Sequence, residues 1–192
     1  MPLIQCTQKL LAELPKTQKV VQPDLPELLG SWHATLIRKW RRKSVLFTND
    51  STRFSFVIPD LMKLDFQSLE SIFIHDLLLN LAHEGLDRYN DKIIQEYEGR
   101  LHHASYKNRS VVSSMNDISN RIRRCLTEYK SMEEVNWLDI CSSINRIPFI
   151  ANKSFSATEL IQKKLNDSPI YFSLPAKHRG TEWLRFEIKH EG

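Results

Sequence analysis

Alternating apolar and polar residues between Gly30 and Pro59 predict three consecutive β-strands. The apolar positions of these strands are Trp32, Ala34, Leu36, Val45, Phe47, Phe54, Phe56 and Ile58. A period of two residues places such a set on one face of a sheet. Arg41 and Arg42 separate the first two runs, and the turn-forming sequence from Asn49 to Ser51 separates the second and third. The segment therefore predicts a three-strand antiparallel meander with one aromatic-rich face.

After Pro59 the apolar period becomes helical. Leucine, isoleucine and phenylalanine recur every three or four residues from Asp65 or Ser68 to about Glu84, and Gly85 follows as a left-handed stop. We expect this helix to cover the aromatic face of the sheet. Similar spacing predicts helices at 90–97, from Ser113 or Ser114 to about 129, at 133–145 and, after the capping box Ser156-x-x-Glu159, to about 165. A short strand at 2–6 and a helix from Thr7 to Leu14 precede the meander.

These elements predict an α+β domain over residues 1–165. In it, a small antiparallel sheet, the three-strand meander, is covered by three to four helices. Residues 166–192 differ in character, because two runs rich in β-forming residues, 170–174 and 183–188, flank Pro175 and Gly180. They predict a C-terminal β-hairpin as a β-rich extension, which we expect to pack on the same domain.

Length and composition limit the compartment and the class of protein. No apolar run among the 192 residues approaches the roughly 20 residues that span a bilayer, and the first residues lack the basic cluster of a signal peptide. The three cysteines are an odd number without a CxxC pair, which favours reduced core thiols. We therefore expect a cytoplasmic protein with no membrane association, no metal and no cofactor.

The formal net charge is +4 and the basic residues are concentrated in two stretches. The members of these stretches are Arg38, Lys39, Trp40, Arg41, Arg42 and Lys43 in the meander, and Arg121, Arg123 and Arg124 in a predicted helix. Trp40 suits stacking on a base while the arginines suit contacts with phosphates. The two stretches predict a nucleic-acid-binding surface if they share a face, and ordinary solvated faces if they do not.

A second set of polar residues is not required by a hairpin or a helix start. Its members are Ser31, His33, Arg42, Asn49, Thr52 and Arg53 in the meander, and Asn108, Arg109, Ser110 and Asn116 further along the chain. An imidazole, guanidinium groups and amides at a helix N-terminus together suit a phosphate-bearing ligand. The alternative is structural, with these side chains bonding turns, loops and neighbouring strands.

Four stretches of the sequence carry a resemblance to a known family. They are residues 4–10, residues 30–33 with 41–47 and 49–53, residues 108–116, and residues 144–148. Over residues 1 to about 163 the chain resembles a bacterial family of unknown function, domain of unknown function 6933. It departs from that family's pattern at Ser113, where the family has Gly, and at Phe155-Ser156 in place of a Trp-Pro pair. The family has no established activity, so the resemblance implies a fold and a compartment and transfers no catalytic residue.

The sequence favours a non-enzymatic binding protein for nucleic acid or another phosphate-bearing partner. The binding residues would be those of the basic hairpin and the arginine-rich helix. One alternative is a small hydrolase or nuclease that uses His33 with Arg42, Asn49 and Arg109, although the HExxH spacing and the nucleotide-binding fingerprints are absent. A second alternative is a protein-interaction module that pairs through the C-terminal hairpin. The oligomeric state does not follow from the sequence.

Overall fold

The computed structural model describes residues 3–15, 28–97, 102–105, 108–148 and 155–167. Within these ranges the chain forms one mixed sheet in the order β4-β3-β2-β1-β5. The strands are β1 (Leu3–Cys6), β2 (Trp32–Lys39), β3 (Arg42–Asn49), β4 (Ser55–Ile58) and β5 (His102–Ser105). The helices are α1 (Gln8–Leu11), α2 (Leu69–His83), α3 (Asn90–Tyr97), α4 (Arg109–Cys125), α5 (Trp137–Asn145) and α6 (Ala157–Asp167). The predicted α+β class is confirmed.

The sheet is larger than the predicted three-strand antiparallel sheet. Strands β2, β3 and β4 do form the antiparallel meander, but β1 pairs in parallel with both β2 and β5. Strand β1 lies within the short strand predicted at 2–6, whereas β5 consists of polar and small residues without an alternating apolar pattern. Their parallel pairing also joins segments that are distant in sequence, so local patterns do not reveal it.

The turn between β2 and β3 contains Trp40 and Arg41. Because Lys39 pairs with Arg42, Trp40 and Arg41 are the whole loop. The prediction placed Arg41 and Arg42 between the strands, so the loop begins one residue earlier than predicted. Trp40 and Arg41 have positive φ, 48° and 63°, as a type I′ hairpin turn requires. This conformation usually selects Asn and Gly, and it costs an ordinary side chain about 1–2 kcal/mol. The tip of the hairpin is therefore a strained turn that carries a large aromatic and a basic side chain.

The aromatic face of the meander is covered by α2 and α3. Phe73 of α2 contacts Trp32, Phe47 and Phe56, with ring centroids 4.9–5.5 Å apart. The indole Nε1 of Trp32 donates a 2.8 Å hydrogen bond to the hydroxyl of Tyr97 in α3. The prediction that the helix ending before Gly85 covers this face is confirmed, and Gly85 has a φ of 74°.

Helix α4 packs against β2 and β3. This helix begins at Arg109 rather than at Ser113 or Ser114, because the Asn108 side chain accepts hydrogen bonds from the amides of Ser110 and Val111. A similar cap, Asn136, begins α5 at Trp137 instead of residue 133. Both corrections have one cause, since an asparagine cap decides where each helix starts.

The outer edge of β4 is bonded by a side chain rather than by another strand. The Asn145 amide nitrogen donates to the Ser55 carbonyl and its oxygen accepts from the Ser55 N–H, each at 2.8 Å. Asn145 is 1% exposed. The side chain thus replaces a strand backbone at this position and ties the end of α5 to the sheet.

The end of the chain is described only as far as α6. The predicted capping box is confirmed, since Ser156 Oγ accepts from the Glu159 amide and Glu159 Oε2 accepts from the Ser156 N–H. The predicted C-terminal hairpin lies outside the described residues, so the division at residue 165 stays a prediction. Of the helices in the described ranges, none is both long and apolar enough to cross a membrane.

Candidate functional site

The polar residues selected from the sequence lie at two opposite ends of the sheet. Strand β3 runs for eight residues from Arg42 to Asn49, which corresponds to about 23 Å between the ends. His33, Asn49 and Arg53 lie at one end, and Arg42 lies at the other. The structure therefore separates Arg42 from His33, Asn49 and Arg53.

At the Asn49 end, His33 is fully buried and is bound to a carboxylate. Its Nδ1 lies 2.6 Å from Asp50 Oδ1, and Gln5 Nε2 donates to Asp50 Oδ2 at 3.3 Å. A carboxylate at this distance fixes the orientation of an imidazole ring. The pair links β2 to the β3–β4 turn, with the His33 side chain 0% exposed and the Asp50 side chain 21% exposed.

Arg53 is buried beside this pair, with 8% of its surface exposed. Its guanidinium donates to Ser114 Oγ and Ser110 Oγ, each at 3.3 Å, and to the carbonyl of Asp50. Burial lowers the pKa of the Arg53 guanidinium, and the Asp50 carboxylate opposes that shift. The side chain therefore joins the β3–β4 turn to the first turns of α4.

The other residues predicted at this end bond the backbone or face solvent. Asn49 Oδ1 accepts from the amides of Ser51 and Thr52, and its nitrogen donates to the Leu29 carbonyl at 2.9 Å. Asn108 caps α4, as described above. The side chains of Arg109 and Asn116 are exposed and lie outside this hydrogen-bond network. The backbone carbonyl of Ser31 accepts a hydrogen bond from the Asp50 amide. The structural alternative accounts for the buried members of the set.

At the opposite end, the tip of the β2–β3 hairpin carries cations that are oriented by acidic side chains. Arg42 donates twice to the Asp60 carboxylate, at 2.7 and 2.8 Å, and lies 3.5 Å from Glu133. Lys43 donates to Glu13 at 2.7 Å. This hydrogen bond from Lys43 is the main cause that lowers the pKa of Glu13. Arg38 also contacts Glu13, at 3.3 Å.

A cleft of about 310 Å³ lies between the tip and the segment that follows β4. Its lining residues are Arg41, Arg42, Lys43, Asp60, Leu61, Met62 and Lys63. Four of the seven are cationic and one is a carboxylate, so the lining is net positive. The side chains of Arg41 and Lys63 are exposed, and neither makes an ion pair with a described residue. We call this surface, residues 38–43 with 60–64, the hairpin tip.

The arginines of α4 are exposed near its C-terminal end. Arg121, Arg123 and Arg124 all face solvent, and Arg123 donates to Asn120 within the same helix. The helix starts beside Arg53 at the Asn49 end and extends for about 25 Å. The chain that leaves it brings Glu133 to Arg42. The arginine-rich part of α4 therefore lies toward the same end of the sheet as the hairpin tip.

Several residues of both groups escaped prediction from the sequence. At the Asn49 end they are Gln5, Asp50 and Ser114, and at the hairpin tip they are Asp60, Met62 and Lys63. Asp50 resembled a turn residue, and only its proximity to His33 on the adjacent strand gives it a second role. Asp60 follows a proline and has an irregular backbone conformation with a φ of 52°. No local pattern in the sequence therefore indicates that Asp60 pairs with Arg42.

The three cysteines, Cys6, Cys125 and Cys141, are free thiols, and two of them, Cys6 and Cys141, are buried in the core. Burial raises the pKa of Cys6 and of Cys141 to about 12. Across the ranges that the structure describes, no group of three or more His, Cys, Asp or Glu side chains is arranged to hold a metal ion.

Comparison with known proteins places the chain in a family. A search of curated proteins finds no match to it. The family model described as "Domain of unknown function (DUF6933)" matches residues 3–159, which is most of the chain and includes both ends of the sheet. The chain therefore belongs to this family, the domain of unknown function DUF6933.

Proposed function

We propose that this protein binds nucleic acid through the hairpin tip and acts as a binding protein rather than an enzyme. The observation that carries the proposal is the cleft whose lining contains four cations and one carboxylate. Phosphate contacts from lysine and arginine supply most of the affinity of sequence-independent nucleic-acid binding. The exposed Arg41 and Lys63 are the side chains that would make the first such contacts.

The acidic side chains around the tip support this proposal because they hold the neighbouring cations in fixed positions. Nη1 of Arg42 donates to both carboxylate oxygens of Asp60, which fixes the base of the hairpin against the segment after β4. Glu13 similarly orients Lys43. Side chains that are already ordered lose less conformational entropy when they bind a ligand. The tip therefore combines two exposed cations with a rigid frame.

The position of the α4 arginines extends the same surface. Arg121, Arg123 and Arg124 lie toward the end of the sheet that carries the tip, and they have no carboxylate partner among the described ion pairs. A strand of nucleic acid that lies across the tip would have these side chains as additional phosphate contacts. In this arrangement both basic stretches serve one interface.

The hydrolase or nuclease alternative has less support. His33 is fully buried against Asp50, whereas a general base has to reach the group from which it takes a proton. His33 is opposite Thr48, so Arg42, six residues away along β3, lies about 20 Å from it. The interaction-module alternative rests on the hairpin predicted within 170–188, which lies outside the described residues.

The proposal is tested by the salt dependence of binding. Fluorescence anisotropy with labelled RNA and DNA oligonucleotides, from about 50 to about 200 mM salt, gives the slope of log K against log salt. We expect Arg41→Ala/Lys63→Ala to weaken binding and to reduce that slope by roughly 0.7–0.9 for each phosphate that the variant no longer neutralises. The matched control is Arg109→Ala/Lys163→Ala, which removes two exposed cations from other parts of the surface.

Two results would contradict the proposal. One is the absence of binding at the lowest salt concentration of the series. The other is an equal loss of affinity in the two double variants, which would mean that binding follows net charge and not the hairpin tip.

A further inference from the structure

We propose that the hairpin tip selects single-stranded over double-stranded nucleic acid, an inference that rests on the proposed function. The feature that carries it is a pair of exposed apolar side chains next to the cations. Met62 is 65% exposed and Leu64 is 73% exposed, the two highest values among the large hydrophobic residues of the described ranges. Lys63 lies between them, and both Met62 and Lys63 line the cleft.

Apolar surface beside cations distinguishes two forms of nucleic acid. A duplex presents phosphates and base edges, while the flat faces of its bases are stacked inside. A single strand also offers the apolar faces of its bases, which proteins cover with aromatic and other apolar side chains. Met62 and Leu64 could therefore pack on the bases of a single strand, whereas a duplex keeps those base faces out of reach.

The tip has a further element that suits an unstacked base. Trp40 occupies the strained turn with a φ of 48°, and its ring is only partly buried. The Nζ of Lys39 lies 5.1 Å from the centroid of that ring. An aromatic ring with an adjacent cation, at the apex of a hairpin, is the combination that stacks on bases while contacting the strand's phosphates.

The dimensions of the cleft agree with this choice of ligand. A volume of about 310 Å³ is at the lower end of the range of small-molecule sites, roughly 300–1,000 Å³. A cleft of this volume can take one nucleotide unit of a strand.

An anionic membrane surface would also attract cations with apolar neighbours, but the acidic residues argue against it. Asp60 lines the cleft, and the Asp65 carboxylate accepts from the Met62 amide at 2.7 Å. These two carboxylates flank the exposed apolar pair in the sequence, and a planar anionic surface that contacts the pair would bring its headgroups close to them. A flexible strand can pass between them.

The test compares one oligonucleotide sequence as a single strand and as a duplex, by anisotropy at a fixed low salt concentration. We expect the wild-type protein to bind the single strand about tenfold more tightly, which is the order of magnitude that packing against one base provides. Met62→Ser/Leu64→Ser should abolish this preference and keep the wild-type salt slope. Both side chains are exposed, so the variant should fold. The matched control is Leu79→Ser/Phe155→Ser, which removes the other two exposed large hydrophobic residues of the described ranges.

The possible outcomes separate this inference from the proposed function. Equal affinity for single strand and duplex, unchanged in Met62→Ser/Leu64→Ser, would overturn the selectivity and leave nucleic-acid binding in place. No binding of either form would overturn both. Binding to vesicles containing phosphatidylserine that depends on Met62 and Leu64, without single-strand preference, would overturn the inference in favour of a membrane surface.

Discussion

Replacing Asn145 should destabilise the protein strongly, because one side chain satisfies two buried backbone groups at the edge of the sheet. Asn145 and Ser55 are 1% and 2% exposed, and the two hydrogen bonds between them are each 2.8 Å long. In Asn145→Ala the Ser55 N–H and C=O have no side-chain partner and remain buried. A buried backbone group without a partner costs about 1–3 kcal/mol.

The expected loss of stability for Asn145→Ala is therefore about 2–6 kcal/mol, a large part of the roughly 5–15 kcal/mol that stabilises a typical domain. A water molecule that enters the space would bring the loss toward the lower value. Asn145→Asp keeps an acceptor for the Ser55 N–H but places a second acceptor opposite the Ser55 carbonyl. It should be at least as destabilising at neutral pH.

Urea unfolding, followed by circular dichroism, measures both variants against the wild-type protein. Asn116→Ala is the control, because Asn116 is an exposed asparagine on α4 and its replacement should change the free energy of unfolding by less than about 0.5 kcal/mol. If Asn145→Ala unfolded at the same urea concentration as Asn116→Ala, the edge of β4 would not depend on this side chain.

Two further predictions concern helix ends. Gly85→Ala should cost about 1–2 kcal/mol in thermal or urea unfolding, because Gly85 has a φ of 74° and no atom outside its immediate chain neighbours lies within 4 Å of the added methyl group, so the cost is one of backbone conformation. Ser156→Ala should remove the cap of α6 and cost about 1 kcal/mol at neutral pH. Hydrogen bonds from Ser156 lower the pKa of Glu159 below its ordinary value of 4.5. These bonds therefore stabilise the fold at a pH above 4.5, and this stabilisation is lost as the pH falls through the lowered pKa. The difference between wild type and Ser156→Ala should therefore shrink as the pH falls below that ordinary value, and a difference independent of pH would contradict this assignment.

The parts of the fold that were predictable from the sequence are those with strong local patterns. The period of two residues in the meander and the spacing of three and four residues in α2 are both confirmed, as is the capping box of α6. In each case the residues that specify the element lie within one short segment. Burial of one face then follows from the pattern alone.

The parts that were missed depend on contacts between distant segments. The pairing of β1 with β5 joins strands that are far apart in the sequence, Leu3–Cys6 with His102–Ser105, so this parallel pairing was missed although the N-terminal strand itself was predicted. The first turn of α4 contains Val111 and Val112, which favour strands, so only the bonds made by Asn108 place its start. These features depend on contacts that form only when the strands and helices pack, so a local sequence pattern does not predict them.

In the candidate site, too, local patterns were predictable and contacts between distant segments were not. The basic residues around the β2–β3 turn form a dense run in the sequence, which predicted a basic surface. Arg41, in the middle of this run, is exposed in the structure. Glu133 and Glu13 had no local relation to Arg42 and Lys43, although each contacts its partner in the fold. Leucine and methionine usually indicate core positions, so the exposure of Met62 and Leu64 is visible only in the structure.

The most direct test of the proposed interface is to locate the ligand on the protein. In a titration of the ¹⁵N-labelled protein with a single-stranded oligonucleotide at low salt, amide chemical shifts report which residues meet the strand. We predict that the shifts move at residues 38–43 and 60–64 and along the exposed side of α4 near Arg121, and that the amides around Asn108 and Arg109 stay unchanged. Shifts concentrated at Asn108, Ser110 and His33, with the hairpin tip silent, would place the site at the other end of the sheet and contradict the account.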